Sequence, residues 1–240
     1  MRSDVQQIVS LRLLKGFALI VGENRIALSS SAQQLLAFLA LQDRPRTRTY
    51  VARTLWPEAT NTRANANLRS SLWRALRTEP GIISASAQEM ALAKEIHVDI
   101  HDAIGRAHQL LDKSSVCEDI LNRQTRDDLS SDLLPEWSDN EWVLLEQEQY
   151  HQLRLYALEA MARRLTTAGR YGEAVAAGLA AVQAEPLRES AHRALIYAHL
   201  AAGNRAEAQH QYDQCRRVLL DELGLEPPDA LRDLLAQSTR

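Results

Sequence analysis

Residues Asn61 to Thr78 read NTRANANLRSSLWRALRT and form the most informative segment of the chain. Its apolar residues recur at spacings of three and four, which places them on one buried stripe of an α-helix; they are Leu68, Leu72, Ala75 and Leu76. A second face carries groups that hydrogen-bond base edges and phosphates in a major groove, namely Arg63, Asn67, Ser70 and Arg74. The pattern predicts a DNA recognition helix; the alternative is an ordinary surface helix with solvated charges.

Charge is distributed unevenly along the chain. Residues 1–80 contain 12 Lys and Arg against 5 Asp and Glu, whereas the remainder contains 16 against 26. A basic front end can neutralise phosphates and release counterions, whereas an acidic remainder is repelled by a duplex and suits protein partners. We therefore expect two domains, one that binds a polyanion and one with a different task.

Several classes of protein are disfavoured. The first ten residues lack a basic region followed by an apolar core, and no run of about 18 apolar residues occurs, so we expect a cytoplasmic protein with no membrane contact. Cys117 and Cys215 lie far apart without a CxxC spacing, which argues against a disulfide framework and predicts buried thiols. No phosphate loop, GxGxxG fingerprint or GxSxG elbow occurs, so we expect no enzyme activity and no cofactor.

The segments around the predicted recognition helix follow a simple order. Alternating apolar residues and turn signals between Ile8 and Leu28 predict a small sheet. Ser29 to Ser31 can cap a first helix that ends near Gln42. Thr47 can cap a second helix that stops at Pro57.

A hairpin is predicted after the third helix, which Pro80-Gly81 ends. Its apolar residues lie between Ile82 and Val98, around a polar turn at Ser84 to Glu89. The order of sheet, three helices and hairpin resembles the winged helix-turn-helix domains of the OmpR type, in which the third helix enters the major groove. In that arrangement Ser84 to Gln88 is the wing tip.

Beyond about Asp99 the pattern is helical and contains a repeat. The pairs Ala168-Gly169 and Glu173-Ala174 recur 34 residues later as Ala202-Gly203 and Glu207-Ala208, which is the period of the tetratricopeptide helix hairpin. Small residues at these positions are expected to let paired helices approach closely. Because about three repeats are needed for stability, we expect helices within Ile100 to Leu121 and Asn140 to Leu165 to complete the bundle.

Four motifs in conjunction carry a family resemblance. A winged helix is joined through VDIHDA at 98–103 to DLLPEW at 132–137, a helix containing Trp142, and GLEPPDALRDLL at 224–235. Over essentially its whole length the chain resembles the antibiotic regulatory protein family of bacterial transcription activators. The resemblance implies an α+β winged helix-turn-helix domain at 1–98 and an all-α, tetratricopeptide-like transcriptional activation domain at 99–240.

The resemblance also implies partners. Members bind direct repeats in double-stranded DNA near a promoter and recruit RNA polymerase, so we expect a nucleoid-associated activator. Tandem half-sites imply two protomers side by side, with a homodimer that could form only on DNA. The loop between the second and third helices often faces polymerase in OmpR-type domains, which makes Glu58 a candidate contact; a plain connection is the alternative.

Candidate DNA contacts follow from position in the fold. Arg63 and Asn67 lie in the first turns of the recognition helix, where arginine suits guanine and asparagine suits adenine. By position in the family pattern, Ser70, Ser71 and Arg74 are base or backbone contacts, although relatives often carry arginine where the serines stand. The candidate phosphate contacts are Thr47, Arg48, Thr49 and Arg77; the alternative for Thr47 is a simple helix cap.

Other interpretations remain open. His97 and His101, beside Asp99 and Asp102, have a spacing found in metal sites, but no HExxH motif or third ligand accompanies them, so we expect a polar domain boundary. A tetratricopeptide-type interaction scaffold and a regulator gated by a small ligand are the alternative functions. The basic front end argues against the scaffold.

Overall fold

A computed structural model describes residues 8–112, 114 and 118–237. The chain divides into two compact units, one comprising Met1–Asp102 and Asp132–Gln149, the other Ala103–Ser131 and Tyr150–Arg240. Among the described residues, no helix combines the length and apolar character that crossing a membrane requires.

The first unit contains two small sheets and three consecutive helices. Its elements are β1 (Val9–Arg12), β2 (Ala18–Val21), β3 (Asn24–Ile26), α1 (Ser30–Ala40), β4 (Arg46–Thr47), α2 (Arg48–Leu55), α3 (Asn61–Thr78), β5 (Ile83–Ala85), β6 (Glu89–Leu92) and β7 (His97–Val98). The predicted order of sheet, three helices and hairpin is confirmed. The predicted bounds of the recognition helix coincide with those of α3.

Each sheet contains one strand that was not predicted, β7 in the N-terminal sheet and β4 in the wing sheet. The N-terminal sheet has the order β3-β2-β1-β7, and β7 runs parallel to β1 with Val98 opposite Leu11. The wing sheet has the order β4-β6-β5, with Arg46 opposite Met90. Val98 therefore belongs to the N-terminal sheet and not to the hairpin. Residues 46–47 form a short strand that was not predicted, and Thr47 also caps α2 as predicted.

Buried side chains of the three helices fix the orientation of α3. Leu35 and Leu36 of α1 and Leu68 of α3 are almost completely buried, as is Val51 of α2. Fully burying such a side chain stabilises the fold by about 1.5–3 kcal/mol. Because one stripe of α3 is held in this core, its opposite face is directed to solvent.

The segment 132–149 folds with the first unit although the helical region separates it in sequence. The amide of Leu134 donates to the carbonyl of Leu13, and the amide of Lys15 donates to that of Asp132, both at 2.9 Å. The ring of Trp137 stacks on Phe17 at a centroid distance of 6.0 Å. These contacts extend the core of the first unit.

The second unit is helical. Helices α4 (Asp99–Leu111) and α6 (Glu141–Thr167) begin in the first unit and continue into the second at residues 103 and 150. The second unit also contains α5 (Arg123–Leu129), α7 (Tyr171–Ala184), α8 (Glu189–Ala201), α9 (Arg205–Leu223) and α10 (Asp229–Gln237). Cys215 is fully buried, as predicted, and burial raises the pKa of its thiol to about 11. Cys117 lies outside the described residues.

The 34-residue repeat corresponds to two equivalent helix turns. Gly169 and Gly203 follow α6 and α8 with φ values of 73° and 78°, a left-handed conformation that glycine adopts without strain. The repeated alanines Ala174 and Ala208 are fully buried. A close helix approach lies elsewhere, at Gly178, where an added Cβ would stand 3.0 Å from the Cα of Leu195. The repeated glycines therefore form turns and do not mediate helix contact.

Candidate nucleic-acid interface

Helix α3 is well anchored at its beginning. The side chain of Thr60 accepts a hydrogen bond from the amide of Arg63 at 3.4 Å, which caps the first turn. Arg53 of α2 donates from Nε to the side-chain oxygen of Asn61 at 3.2 Å. The first turn of α3, where base contacts are expected, is thus attached to the preceding helix.

The solvent face of α3 is strongly basic. The helix contains arginines at 63, 69, 74 and 77 and no acidic residue. Arg63, Ser70 and Arg74 are exposed and Asn67 is half-buried. These four residues repeat at spacings of three and four, so they share one face, opposite the buried leucines. The structure thus brings four of the five candidate groove contacts together.

Ser71 is the exception. Its side chain is 1% exposed and lies with the buried residues of α3. A groove contact needs an accessible hydroxyl, so this burial corrects the candidate set, which keeps Ser70 but not Ser71. A polar serine next to the exposed Ser70 gave no sign in the sequence of facing the core.

Trp73 and Arg77 form a second feature of the exposed surface. The indole of Trp73 is 59% exposed, and the guanidinium carbon of Arg77 lies 5.1 Å from its ring centroid. Such a cation–π contact restrains a long arginine side chain. Arg77, a candidate phosphate ligand, is therefore held close to α3. Trp56, the C-cap residue of α2, is half-buried.

The N-terminus of α2 carries the remaining candidate phosphate contacts. The hydroxyl of Thr47 accepts from the amide of Tyr50 at 3.3 Å, so Thr47 is a helix cap. Thr49 is exposed. Arg48 contacts the wing: its Nε donates to the carbonyl of Ser86 and its amide to the carbonyl of Gln88, each at 2.9 Å.

The wing tip is a closed turn between β5 and β6. The hydroxyl of Ser86 accepts from the amides of Gln88 and Glu89 at 3.2 Å and 2.9 Å. The amide of Ser86 donates to the carbonyl of Glu89 at 2.8 Å. The tip therefore has a defined shape, and its contact with Arg48 joins it to α2.

Glu58 lies exposed in the loop between α2 and α3. The loop lines a cavity of about 450 Å³, whose wall includes Trp56 and Arg63. The carboxylate is thus close to the beginning of the recognition helix and accessible to a large partner.

The histidines at the start of α4 have separate partners. His97 Nε2 lies 2.7 Å from a carboxylate oxygen of Asp102, and His101 Nε2 lies 2.7 Å from the carbonyl of Ala40. Asp99 accepts from the amides of Leu13 and Leu14 and so joins α4 to the chain after β1. Within residues 8–112, 114 and 118–237, no group of three or more His, Cys, Asp or Glu side chains is arranged to hold a metal ion.

Comparison with known proteins agrees with this architecture. Residues 126–237 match the bacterial transcriptional activator domain. The chain is 28% identical over 222 residues to the regulatory protein AfsR of Streptomyces coelicolor, an alignment that covers 89% of this chain and 22% of AfsR. The chain therefore corresponds to about a fifth of that larger relative.

A solved structure has the same fold. EmbR of Mycobacterium tuberculosis, in complex with a low affinity phosphopeptide, superposes with a TM-score of 0.75 at 18% identity, over 98% of this chain and 66% of EmbR. The winged helix followed by a helical, tetratricopeptide-like region is thereby confirmed. Residues 126–237 are thus identified as a bacterial transcriptional activator domain, and the chain is similar to AfsR in sequence and to EmbR in fold.

Proposed function

We propose that this protein binds direct repeats in double-stranded DNA near promoters and activates transcription by recruiting RNA polymerase. The observation that carries the proposal is the acid-free exposed face of α3, in which arginine, asparagine and serine side chains stand opposite a buried stripe. A helix of this kind fits a major groove, where these groups pair with base edges.

Distinct roles are proposed for the residues of this face. Arg63 and Asn67 read bases, because they lie in the first turns and carry the side chains that pair with guanine and adenine through two hydrogen bonds. Ser70 and Arg74 contact bases or backbone further along the helix. The protein thereby acts on chromosomal DNA, with two protomers side by side on tandem half-sites.

Phosphate contacts position the protein without specifying a sequence. We assign them to Arg77, restrained by Trp73, and to the beginning of α2, where Thr49 and Arg48 lie beside the cap Thr47. Amide groups at a helix N-terminus and nearby guanidinium groups both favour a bound phosphate.

Binding to duplex DNA is expected to weaken steeply as salt increases. With two to four phosphates neutralised by arginines per protomer, a plot of log K against log salt concentration should have a slope of roughly −2 to −4 per protomer. The slope is measured by fluorescence anisotropy on a labelled duplex between low and physiological salt. Binding that is insensitive to salt would contradict the assignment of these contacts.

A matched pair of variants sharpens this measurement. Arg77→Ala should reduce the magnitude of the slope by about 1. Arg123→Ala removes the same charge from an exposed position of the helical unit, where its ion pair with Asp127 contributes little, and should leave the slope unchanged. Equal slopes for the two variants would remove Arg77 from the set of phosphate contacts.

We also propose that Glu58 contacts a basic surface of RNA polymerase. Glu58→Ala should lower activated transcription in a purified system by roughly two- to fivefold, the range expected for one exposed ion pair, with promoter affinity unchanged. Glu95→Ala is the control, because Glu95 is an exposed carboxylate of the same unit. Unaltered activation by Glu58→Ala would refute this contact.

A further inference from the structure

Arg48 makes more contacts than a phosphate ligand at a helix N-terminus needs. It is the first residue of α2, and its backbone amide donates to the carbonyl of Gln88 at 2.9 Å. Its guanidinium Nε donates to the carbonyl of Ser86, also at 2.9 Å. One residue therefore holds the carbonyls on both sides of Ala87, at the tip of the wing.

The chain on either side of this contact is already ordered. Thr47, the residue before Arg48, pairs with Glu89 in the wing sheet. The wing turn is closed internally through the hydroxyl of Ser86. The contact between Arg48 Nε and the carbonyl of Ser86 is thus additional to the hydrogen bonds that form the sheet and the turn. Its effect is to fix the direction in which the tip projects from α2.

Arginine is suited to a contact of this kind. The guanidinium is planar and has donors on three nitrogen atoms, whereas the lysine ammonium is a single point of charge. In the part of the chain that the structure describes, Nη1 and Nη2 of Arg48 make no hydrogen bond or ion pair. The same group can therefore hold the wing through Nε and direct two nitrogens toward a phosphate.

We propose that Arg48 is a positioning residue that holds the wing tip at the N-terminus of α2, so that wing and recognition helix meet the duplex in one fixed register. This inference rests on the proposed function, because it requires α3 in the major groove and the wing on the adjacent minor groove. Arg48 thereby controls the extent of the DNA contacted, not only the strength of binding.

The test compares the wild-type protein with Arg48→Lys, which keeps the charge and the backbone amide contact but loses the planar group. Hydroxyl-radical footprinting on an operator fragment should show that this variant loses protection of the minor groove beside the wing. Protection of major-groove guanines from methylation should persist. Affinity is expected to fall about 10- to 100-fold, in the range of a lost charge-assisted hydrogen bond.

Arg77→Ala is the matched control, because it removes a proposed phosphate contact that lies on α3 and not on the wing. It should weaken binding while leaving the footprint pattern unchanged. If Arg48→Lys behaves in the same way, with lower affinity and an intact wing footprint, Arg48 is a phosphate contact only and the proposal is overturned.

A second measurement does not depend on DNA. Hydrogen–deuterium exchange of the free protein should be faster at the amides of Ser86, Gln88 and Glu89 in Arg48→Lys than in the wild type, with exchange in α1 and α3 unchanged. Unchanged exchange at the wing would overturn the proposal. If the wild-type protein protects no duplex at all, the proposed function fails, and exchange at the wing still decides whether Arg48 holds the tip.

Discussion

Replacing Trp142 by alanine is expected to lower the free energy of unfolding of the first unit by roughly 2–3 kcal/mol. The indole packs edge-on against Phe38, with ring centroids 5.4 Å apart, and Phe38 is 2% exposed in the core of the three-helix region. A fully buried tryptophan costs about 3–5 kcal/mol on truncation to alanine, and the half-buried position of Trp142 reduces that figure. Loss of the aromatic pairs with Phe38 and Trp137 contributes to the effect.

The free energy of unfolding is measured by hydrogen exchange at increasing urea concentrations. Amides in the two units then report on the stability of each unit separately. Leu145→Ala is the control: it lies on the same helix, α6, but is 63% exposed, so its effect should stay within about 0.5 kcal/mol. Equal stability of Trp142→Ala and the wild type would show that segment 132–149 does not support the winged helix.

The second large effect is expected at the recognition helix. The double variant Arg63→Ala, Asn67→Ala should bind an operator fragment roughly 100-fold more weakly than the wild type, because each two-point contact to a base contributes about 1–3 kcal/mol of discrimination. Binding to unrelated duplex should fall much less, since phosphate contacts remain. Circular dichroism should be unchanged, because both side chains lie outside the buried stripe of α3.

Arg69→Ala is the control that distinguishes sequence-specific base contacts from a general electrostatic attraction to DNA. Arg69 is exposed on the same helix, but helical geometry directs it about 120° away from Arg63. It carries the same charge as Arg63, so a purely electrostatic role for the helix predicts a similar loss of affinity in both cases. We expect Arg69→Ala to reduce operator binding only a few-fold and to preserve discrimination between operator and unrelated DNA.

Helix α3 could be predicted from the sequence because its information is local. The apolar spacing of Leu68, Leu72 and Ala75 fixes the buried stripe, and Pro80 and Gly81 lie just after the helix ends. The 34-residue repeat was found for a similar reason, because a repeat compares the sequence with itself, although its glycines form turns and not the close helix contacts that were predicted.

The return of residues 132–149 to the first unit could not be predicted in this way. Trp137 and Trp142 stand among polar and acidic residues, and their partners Phe17 and Phe38 lie far away in sequence. Two-residue strands such as β4 and β7 are too short to show alternation; they form because their neighbours β6 and β1 offer free edges.

At the candidate interface, position along a helix predicted the shared face but not every residue on it. Ser71 is buried because α3 packs against two helices, so its buried sector is wider than the leucine stripe. The contact between Arg48 and Ser86 joins residues 38 positions apart, and a basic residue at a helix start gives no indication of it. Both are consequences of tertiary packing.

The most direct test is to incubate the purified protein with genomic DNA fragments, sequence those it retains, and repeat the selection with the Arg63→Ala, Asn67→Ala variant. We predict that the wild type enriches fragments sharing a tandem repeated motif, with half-sites about one helical turn or a multiple of it apart, and that the variant loses this enrichment. Fragments without a common motif, or the same motif enriched by both proteins, would contradict sequence-specific recognition through α3.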